Sequence, residues 1–292
     1  VTSLVRFASP GGGVGVGILD EASPAATITS LAVETMGELL SKPSSEISAL
    51  IATADGPTMA LADSALSVPI DGRTPVWAAG VTYTISRDAR IEESVVEDVY
   101  AKVYDAQRPE LFYKAASWEV MTDGDPVGRR DDSINDTPEP ELGLVVNAHG
   151  EIVAYTVCND MSSRSIEGEN PLYLPQAKMF AASCVVGPML RLASDIADPL
   201  DLTIRMRITR GAEVVFDDEA STSRLHRSLD ELVGHLTAAM NFPEGVVLST
   251  GTCLVPALDA PVLDGDVVEI EIDGLGRITN RVTCTSQLLP RS

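Results

Sequence analysis

The chain reads as an α+β protein rich in strands, with a small amino-terminal α/β module ahead of a larger β domain. Three observations predict this class. Beyond residue 137 the apolar residues fall in short runs broken by Gly, Pro and Asn, the punctuation of strands and turns. Helical four-residue spacing is confined to a few stretches, clearest at Ile91, Val95, Val99 and Val103. The composition, 45% hydrophobic and 22% charged over 292 residues, supports a packed core over bulk disorder.

Taken in order, residues 1–8 and 14–19 read as strands joined through Pro10-Gly11-Gly12-Gly13. The glycine run does not continue as a dinucleotide fingerprint, because the third glycine counted from Gly13 falls on Ile18 and no helix starts there. Helical patterns over 29–41 and 44–54 follow, and Ser67-Val68-Pro69-Ile70 leads out. Residues 1–70 are therefore the small module and 71–292 the main domain. The stripe over 91–103 is an amphipathic helix closed by Pro109. Leu229, Leu232, Val233 and Leu236 mark another near 226–240, and Phe112, Tyr113 and Trp118 read as core.

Lys and Arg number 21 against 43 Asp and Glu, a formal charge of −22. That surface repels phosphate backbones and anionic lipid, so nucleic acid and membrane are excluded as partners. A small anionic substrate stays allowed wherever a local cation inverts the field. No run reaches 18 apolar residues. The first residues lack an apolar core with a cleavage site. Cys158, Cys184, Cys253 and Cys284 contain no C-x-x-C pair. The expectation is a soluble, cytoplasmic protein with reduced thiols.

His149, His226 and His235 are too scattered for a zinc site, and H-E-x-x-H, G-x-S-x-G and P-loop motifs are absent. The informative stretch is 138–160. As a hairpin it has strands over 141–147 and 151–159 around Ala148-His149-Gly150. Residues i and i+2 of a strand share a face, so Glu139 and Glu141 point the same way. A two-residue turn on His149-Gly150 makes partner numbers sum to 299, which sets Glu139 opposite Asp160 and Glu141 opposite Cys158. Any odd sum keeps the three carboxylates on one face. An even sum, from a bulge or a three-residue loop, sends Asp160 to the other.

Carboxylates that close repel unless a cation joins them. Oxygen-only donors select a hard ion, Mg²⁺, Mn²⁺ or Ca²⁺, and leave positions open for water and a chelating substrate. The same acids also suit charged guards of a sheet edge. Lys178, one of only four lysines, lies in a mostly uncharged setting. It reads either as a partly buried proton-transfer amine or as a snorkelling surface residue.

Several blocks resemble the fumarylacetoacetate hydrolase family: Glu139-Pro140-Glu141, Tyr155 through Ser162, Gln176-Ala177-Lys178-Met179-Phe180, Gly187-Pro188, Ser249-Thr250-Gly251-Thr252, Gly265 through Ile270 and Asp273-Gly274-Leu275-Gly276. The resemblance spans roughly 75–292. It implies a mixed β-sandwich roll, and makes 71–292 the catalytic domain. By motif, Glu139, Glu141 and Asp160 are the implied metal ligands, Lys178 the active-site lysine, and Thr252 a holder of the substrate carboxylate. Hydrolases of the family usually carry Gly-x-Asn-Tyr followed three residues later by a water-activating His. Here the run is Gly80-Val81-Thr82-Tyr83, and Ser86 takes the His position.

That departure, with Arg108-Pro109-Glu110-Leu111-Phe112 and Glu169-Asn170-Pro171-Leu172-Tyr173-Leu174-Pro175, looks like the family's 2-keto-3-deoxy-D-arabinonate dehydratase-like members. The implied activity is a Mg²⁺-dependent hydro-lyase (Mn²⁺ or Ca²⁺ as alternatives). It would take a 2-keto-3-deoxy pentonate to 2,5-dioxopentanoate through a metal-stabilised enolate. Lys178 and Glu110 are the implied proton-transfer groups, with Ser86, Arg87 and Tyr83 beside the substrate. Ser165, where relatives carry Asp after the Arg, departs from the pattern. Acylpyruvate or fumarylacetoacetate-type hydrolysis and oxaloacetate decarboxylation use the same metal and are the competing activities. A non-catalytic binding protein on the same fold is the third reading. Relatives imply a homodimer or homotetramer.

Overall fold

The computed structural model describes residues 2–8, 12–21, 26–86 and 102–289. Two sheets dominate. In spatial order, the eleven-stranded one runs Thr58–Ala60, Thr27–Ser30, Val14–Asp20, Thr2–Ala8, Met189–Leu192, Ile152–Asp160, Pro140–Val146, Val246–Thr252, Val76–Gly80 and Glu110–Ala115. Its remaining strand, Cys184–Val186, pairs with Ile152–Asp160. The five-stranded one runs Glu213–Ser221, Thr203–Arg210, Val267–Ile272, Gly276–Cys284 and Pro126–Arg129. Most pairings are antiparallel. Val246–Thr252 runs parallel to Val76–Gly80, and Gly276–Cys284 parallel to Pro126–Arg129, so both sheets are mixed. This is the β-rich class that the sequence predicts.

Pro140–Val146 and Val246–Thr252 are buried at every position, as strands covered on both faces must be. On one face Leu142, Leu144, Val157 and Leu248 pack against Ile204, Met206, Ile270 and Ile278 of the smaller sheet. On the other, Val145, Ala154, Cys158 and Val247 share a core with Met36, Leu39, Leu40 and Ile47, which belong to the helices Met36–Leu40 and Ser44–Ala52. All four cysteines are free thiols. Among the described residues no helix is long and apolar enough to cross a membrane.

The first two strands fall where the sequence puts them. They extend the large sheet, since Thr2–Ala8 pairs antiparallel with Met189–Leu192. The helix expected over 29–41 is corrected. Thr27–Ser30 is a strand, and helix is limited to Met36–Leu40. Thr27-Ile28-Thr29 are β-branched and Ile28 is fully buried, which suits a pleat. Thr35 then marks the true helix start, its Oγ1 accepting from the Glu38 N–H at 3.0 Å. Ser44–Ala52 and Leu229–Thr237 match the other two expected helices. The helix expected over 91–103 lies almost wholly outside the described residues. Trp118 is 79% and Tyr113 38% exposed, so neither is core.

The 140–160 hairpin shows how two irregularities cancel. Val146 pairs with Ile152, an even sum, and the loop is the three-residue Ala148-His149-Gly150, with Gly150 at φ 76°. A bulge between Ile152 and Ala154 then adds one residue, and from Val145–Ala154 to Pro140–Asn159 every pair sums to 299. The open end therefore has the register expected from a two-residue turn, although the turn has three.

Leu144 is fully buried between these layers and Ile134 is 85% exposed. Leu144→Ala should lower stability by about 2–5 kcal/mol, and Ile134→Ala should stay within about 0.5 kcal/mol, read from urea unfolding midpoints. Equal effects would mean the sandwich core is placed wrongly.

Candidate active site

The open end of this hairpin carries the acids. Glu139 stands one residue before Pro140–Val146, Glu141 is the second residue of that strand, and Asp160 ends Ile152–Asp160. They are 3%, 1% and 2% exposed, and one carboxylate oxygen from each lies within 4.8 Å of the others. Backbone bonds hold the corner. The Asp160 N–H donates to the Glu139 carbonyl at 2.9 Å, and the Glu139 N–H to Asn159 Oδ1 at 3.1 Å.

A third strand fixes Glu141. Pairing of Val246–Thr252 with Pro140–Val146 slips between Ser249 and Thr252, and the extra backbone turns the Gly251 N–H onto Glu141 Oε2 at 2.8 Å. Gly251 sits at φ +95°, and a Cβ there would lie 2.0 Å from Thr82 Oγ1. Only glycine fits.

Two lysines reach this corner. Lys178, the last residue of the helix Leu174–Lys178, is 3% exposed. Its Nζ donates to Glu139 Oε2 at 2.6 Å, Asp160 Oδ2 at 3.1 Å and Ser162 Oγ at 2.5 Å. Lys114, which sequence reasoning did not single out, is 2% exposed with its Nζ 2.5 Å from Asp160 Oδ1. The contact with Asp160 is an ion pair, and the hydrogen bonds of this ammonium go to the carbonyls of Met161, at 2.9 Å, and Lys178. Lys114 is the extra residue where the pairing of Glu110–Ala115 with Val76–Gly80 slips between Tyr113 and Ala115, so alternation counted from Glu110 does not place it.

The acids and Lys178 open onto a cavity of about 20 Å³ also bordered by Gly80, Val81, Ser86, Glu110, Phe112, Glu167, Gly251 and Thr252. That is room for about one water. Glu110 pairs across the sheet with Gly80, and a Cβ on Gly80 would lie 2.1 Å from Glu110 Oε2. The missing side chain is what admits this carboxylate. Val81 is held at φ 53°, a strained conformation for a β-branched residue and one found where function over-determines the backbone. Glu167, on the helix Arg164–Glu169, is 4% exposed. No spacing distinguished it among 43 acidic residues.

The other expected residues are placed as follows. Ser86 borders the cavity, but its hydroxyl donates to the Tyr83 carbonyl at 2.8 Å and accepts from the Tyr83 N–H at 3.2 Å. Thr252 borders it too, with Oγ1 in reach of the Pro140 and Leu254 carbonyls at 3.1 and 2.9 Å. Tyr83 is 1% exposed within the main core and is not among the cavity's described lining residues. Burial pushes its phenol well above the ordinary value, and nearby Cys253 and Glu141 add to this. Arg87 lies outside the described residues. Phe112, read as core, faces the site with its ring centre 5.4 Å from Lys178 Nζ.

Glu110 and Glu167 add carboxyl groups to the wall beside Glu139, Glu141 and Asp160, and Lys114 and Lys178 bring ammonium groups to the corner. Burial first, then the charges of Asp160 and Glu139, push Glu141 up to about 8. A buried corner of three convergent carboxylates fits a hard divalent ion.

Residues 77–283 match the family model described as fumarylacetoacetate (FAA) hydrolase C-terminal. Over 224 residues the chain is 50% identical to a probable 2-keto-3-deoxyxylonate dehydratase of Haloferax volcanii, covering 77% of each chain. It is 38% identical to a 2-dehydro-3-deoxy-D-arabinonate dehydratase of Saccharolobus solfataricus, covering 75% of each. Among solved structures, a 2-keto-3-deoxy-D-arabinonate dehydratase complexed with magnesium and 2,5-dioxopentanoate superposes with a TM-score of 0.83 at 30% identity. That likeness covers 97% of this chain and 99% of the other.

Glu141 generates a pH prediction. With its value raised from 4.5 to about 8, the ion-free fold keeps a proton that the unfolded chain loses. Stability of the ion-free protein should then fall as pH rises across that window. An ion at the carboxylates competes with the same proton, so apparent Mg²⁺ affinity should rise with pH up to about 8. Calorimetry in buffers of differing ionisation enthalpy should show proton release of up to about one per ion near pH 7. Affinity independent of pH between 5 and 8, with no release, would remove Glu141 from the ligand set.

Proposed function

Because the chain belongs to the fumarylacetoacetate hydrolase family, we propose that it is a magnesium-dependent hydro-lyase. It takes a 2-keto-3-deoxy pentonate to 2,5-dioxopentanoate and water. The observation that carries this reading is the buried corner of Glu139, Glu141 and Asp160 bridged by Lys178. It stands in a chain 50% and 38% identical to two such dehydratases.

Glu139, Glu141 and Asp160 are the residues that hold the ion. Bound magnesium supplies a Lewis acid for the carboxylate and 2-oxo oxygens of the substrate. The chain's own groups do the rest. Lys178, as the neutral amine, takes the C3 proton, acidified by the adjoining 2-oxo group, and a dication held by Glu139 and Asp160 would favour that neutral form. Glu110, across the cavity and seated over Gly80, gives a proton to the C4 hydroxyl as it leaves as water. The unsaturated acid then tautomerises to the 5-aldehyde.

Ser86, Arg87, Tyr83 and Thr252 are the proposed substrate contacts. For Ser86 and Thr252 the support is their place on the cavity wall. For Arg87 and Tyr83 it is the sequence resemblance alone. All the proposed site residues belong to 71–292, the proposed catalytic domain, with 1–70 as an auxiliary module. A cytoplasmic homodimer or homotetramer is the proposed working form.

Ser86 supports dehydration over hydrolysis. Its hydroxyl is committed to the Tyr83 backbone, and no imidazole is present there to activate water. With Mg²⁺, 2-keto-3-deoxypentonate should yield 2,5-dioxopentanoate, EDTA should stop the reaction, and acylpyruvate and oxaloacetate should turn over far more slowly. Cleavage of acylpyruvate alone would overturn the reading. Lys178→Ala should lower kcat by about 10²–10⁴-fold with Mg²⁺ affinity nearly kept. Glu110→Gln should lower it about 10²-fold or more, and Gly80→Ala, whose methyl lands on the Glu110 carboxylate, should act in the same direction. Wild-type turnover in any of these variants would take that residue out of the chemistry.

A further inference from the structure

Building on the reading that Glu139, Glu141 and Asp160 hold the ion, we propose that Lys114 is a positioning residue that confines Asp160 to one-oxygen coordination. It thereby biases the site toward magnesium against calcium. Asp160 lies between two ammonium groups with different freedom to move. Lys178 meets Oδ2 at 3.1 Å and also donates to the side chains of Glu139 and Ser162. Lys114 meets Oδ1 at 2.5 Å with its side chain 1% exposed. It is pinned by two backbone carbonyls, Met161 at 2.9 Å and Lys178, while the Phe180 ring centre lies 5.8 Å from Nζ.

An arriving cation can therefore draw Oδ2 away from Lys178, but Oδ1 stays with Lys114. Glu141 is restricted in a similar way, since its Oε2 accepts the Gly251 N–H at 2.8 Å.

Denticity matters unequally to the two ions. Calcium takes about 6–8 oxygens at about 2.3–2.6 Å and often gathers them from bidentate carboxylates, whereas magnesium takes about six at about 2.0–2.1 Å, one per carboxylate, and keeps several waters. Withholding the second Asp160 oxygen costs calcium a ligand and costs magnesium none. A lysine serving only as charge balance or as a strut would shift both dications together, because they carry the same charge. The ratio of their affinities isolates positioning.

The test is calorimetric titration of EDTA-stripped protein with MgCl₂ and with CaCl₂, for wild type and Lys114→Met, so the readout is binding and not turnover. We expect the variant to move the Mg²⁺/Ca²⁺ affinity ratio toward calcium by about tenfold or more. An unchanged ratio in a folded variant overturns the proposal while leaving the metal site standing. Should the variant fail to fold, a calcium-loaded crystal structure of the wild type decides. Asp160 bound through Oδ2 alone, with Lys114 still on Oδ1, supports the assignment. Chelation by both Asp160 oxygens defeats it. Wild-type protein that binds neither ion defeats the metal reading itself, and this proposal with it.

Discussion

Three carboxylates cannot share a dry corner without opposite charge delivered to them, and the site's chemistry follows from that one electrostatic demand. Burial raises the cost of each charge and the neighbouring acids raise it further, which is why Glu141 holds its proton up to about 8. Lys114 and Lys178 answer part of the demand. The convergent oxygens of Glu139, Glu141 and Asp160 suit a small divalent cation, and with it the anionic ligand that such a cation carries.

The demand is met only because the backbone brings the acids to one face. A hairpin with a three-residue loop would ordinarily turn Asp160 away from Glu139 and Glu141. The bulge between Ile152 and Ala154 reverses that single-residue error before the strands reach the site. A second bulge, between Ser249 and Thr252, aims a backbone N–H at Glu141. Glycine does the remaining fitting. Gly80 leaves space for the Glu110 carboxylate, and Gly251 tolerates a backbone angle and a close approach to Thr82 that no side chain permits.

What could be read from the residues follows the same physics. Period-two alternation is local, so the shared face of Glu139 and Glu141 was legible from the chain, whereas Asp160 joins them only under an odd register sum that the chain left open. The register was legible only in its result, since neither the true loop length nor the bulge leaves a clear mark in the sequence. Thr29 and Ser30, the end of the strand Thr27–Ser30, were misread as the start of a helix over 29–41, and the β-branched run and the Thr35 cap were the better guides. Lys114 escaped notice because its partners are backbone carbonyls and an acid far along the chain. Long-range contacts of that kind become visible only once Glu110–Ala115 is seated beside the hairpin strands.

The difference between hydrolysis and elimination then reduces to which group faces the substrate across the cavity. A hydrolase must hold and activate a water, and the family's usual means is an imidazole at the position of Ser86. In this chain Ser86 borders the cavity with its hydroxyl closing a local turn on Tyr83, and carboxyl groups border the cavity beside it. A carboxyl group suits the opposite task, since it can protonate a departing hydroxyl and needs no water of its own. Lys178 and Glu110 line the same cavity, and the proposed pairing of an amine that takes a proton with a carboxyl group that gives one suits elimination of water better than hydrolysis of a carbon–carbon bond.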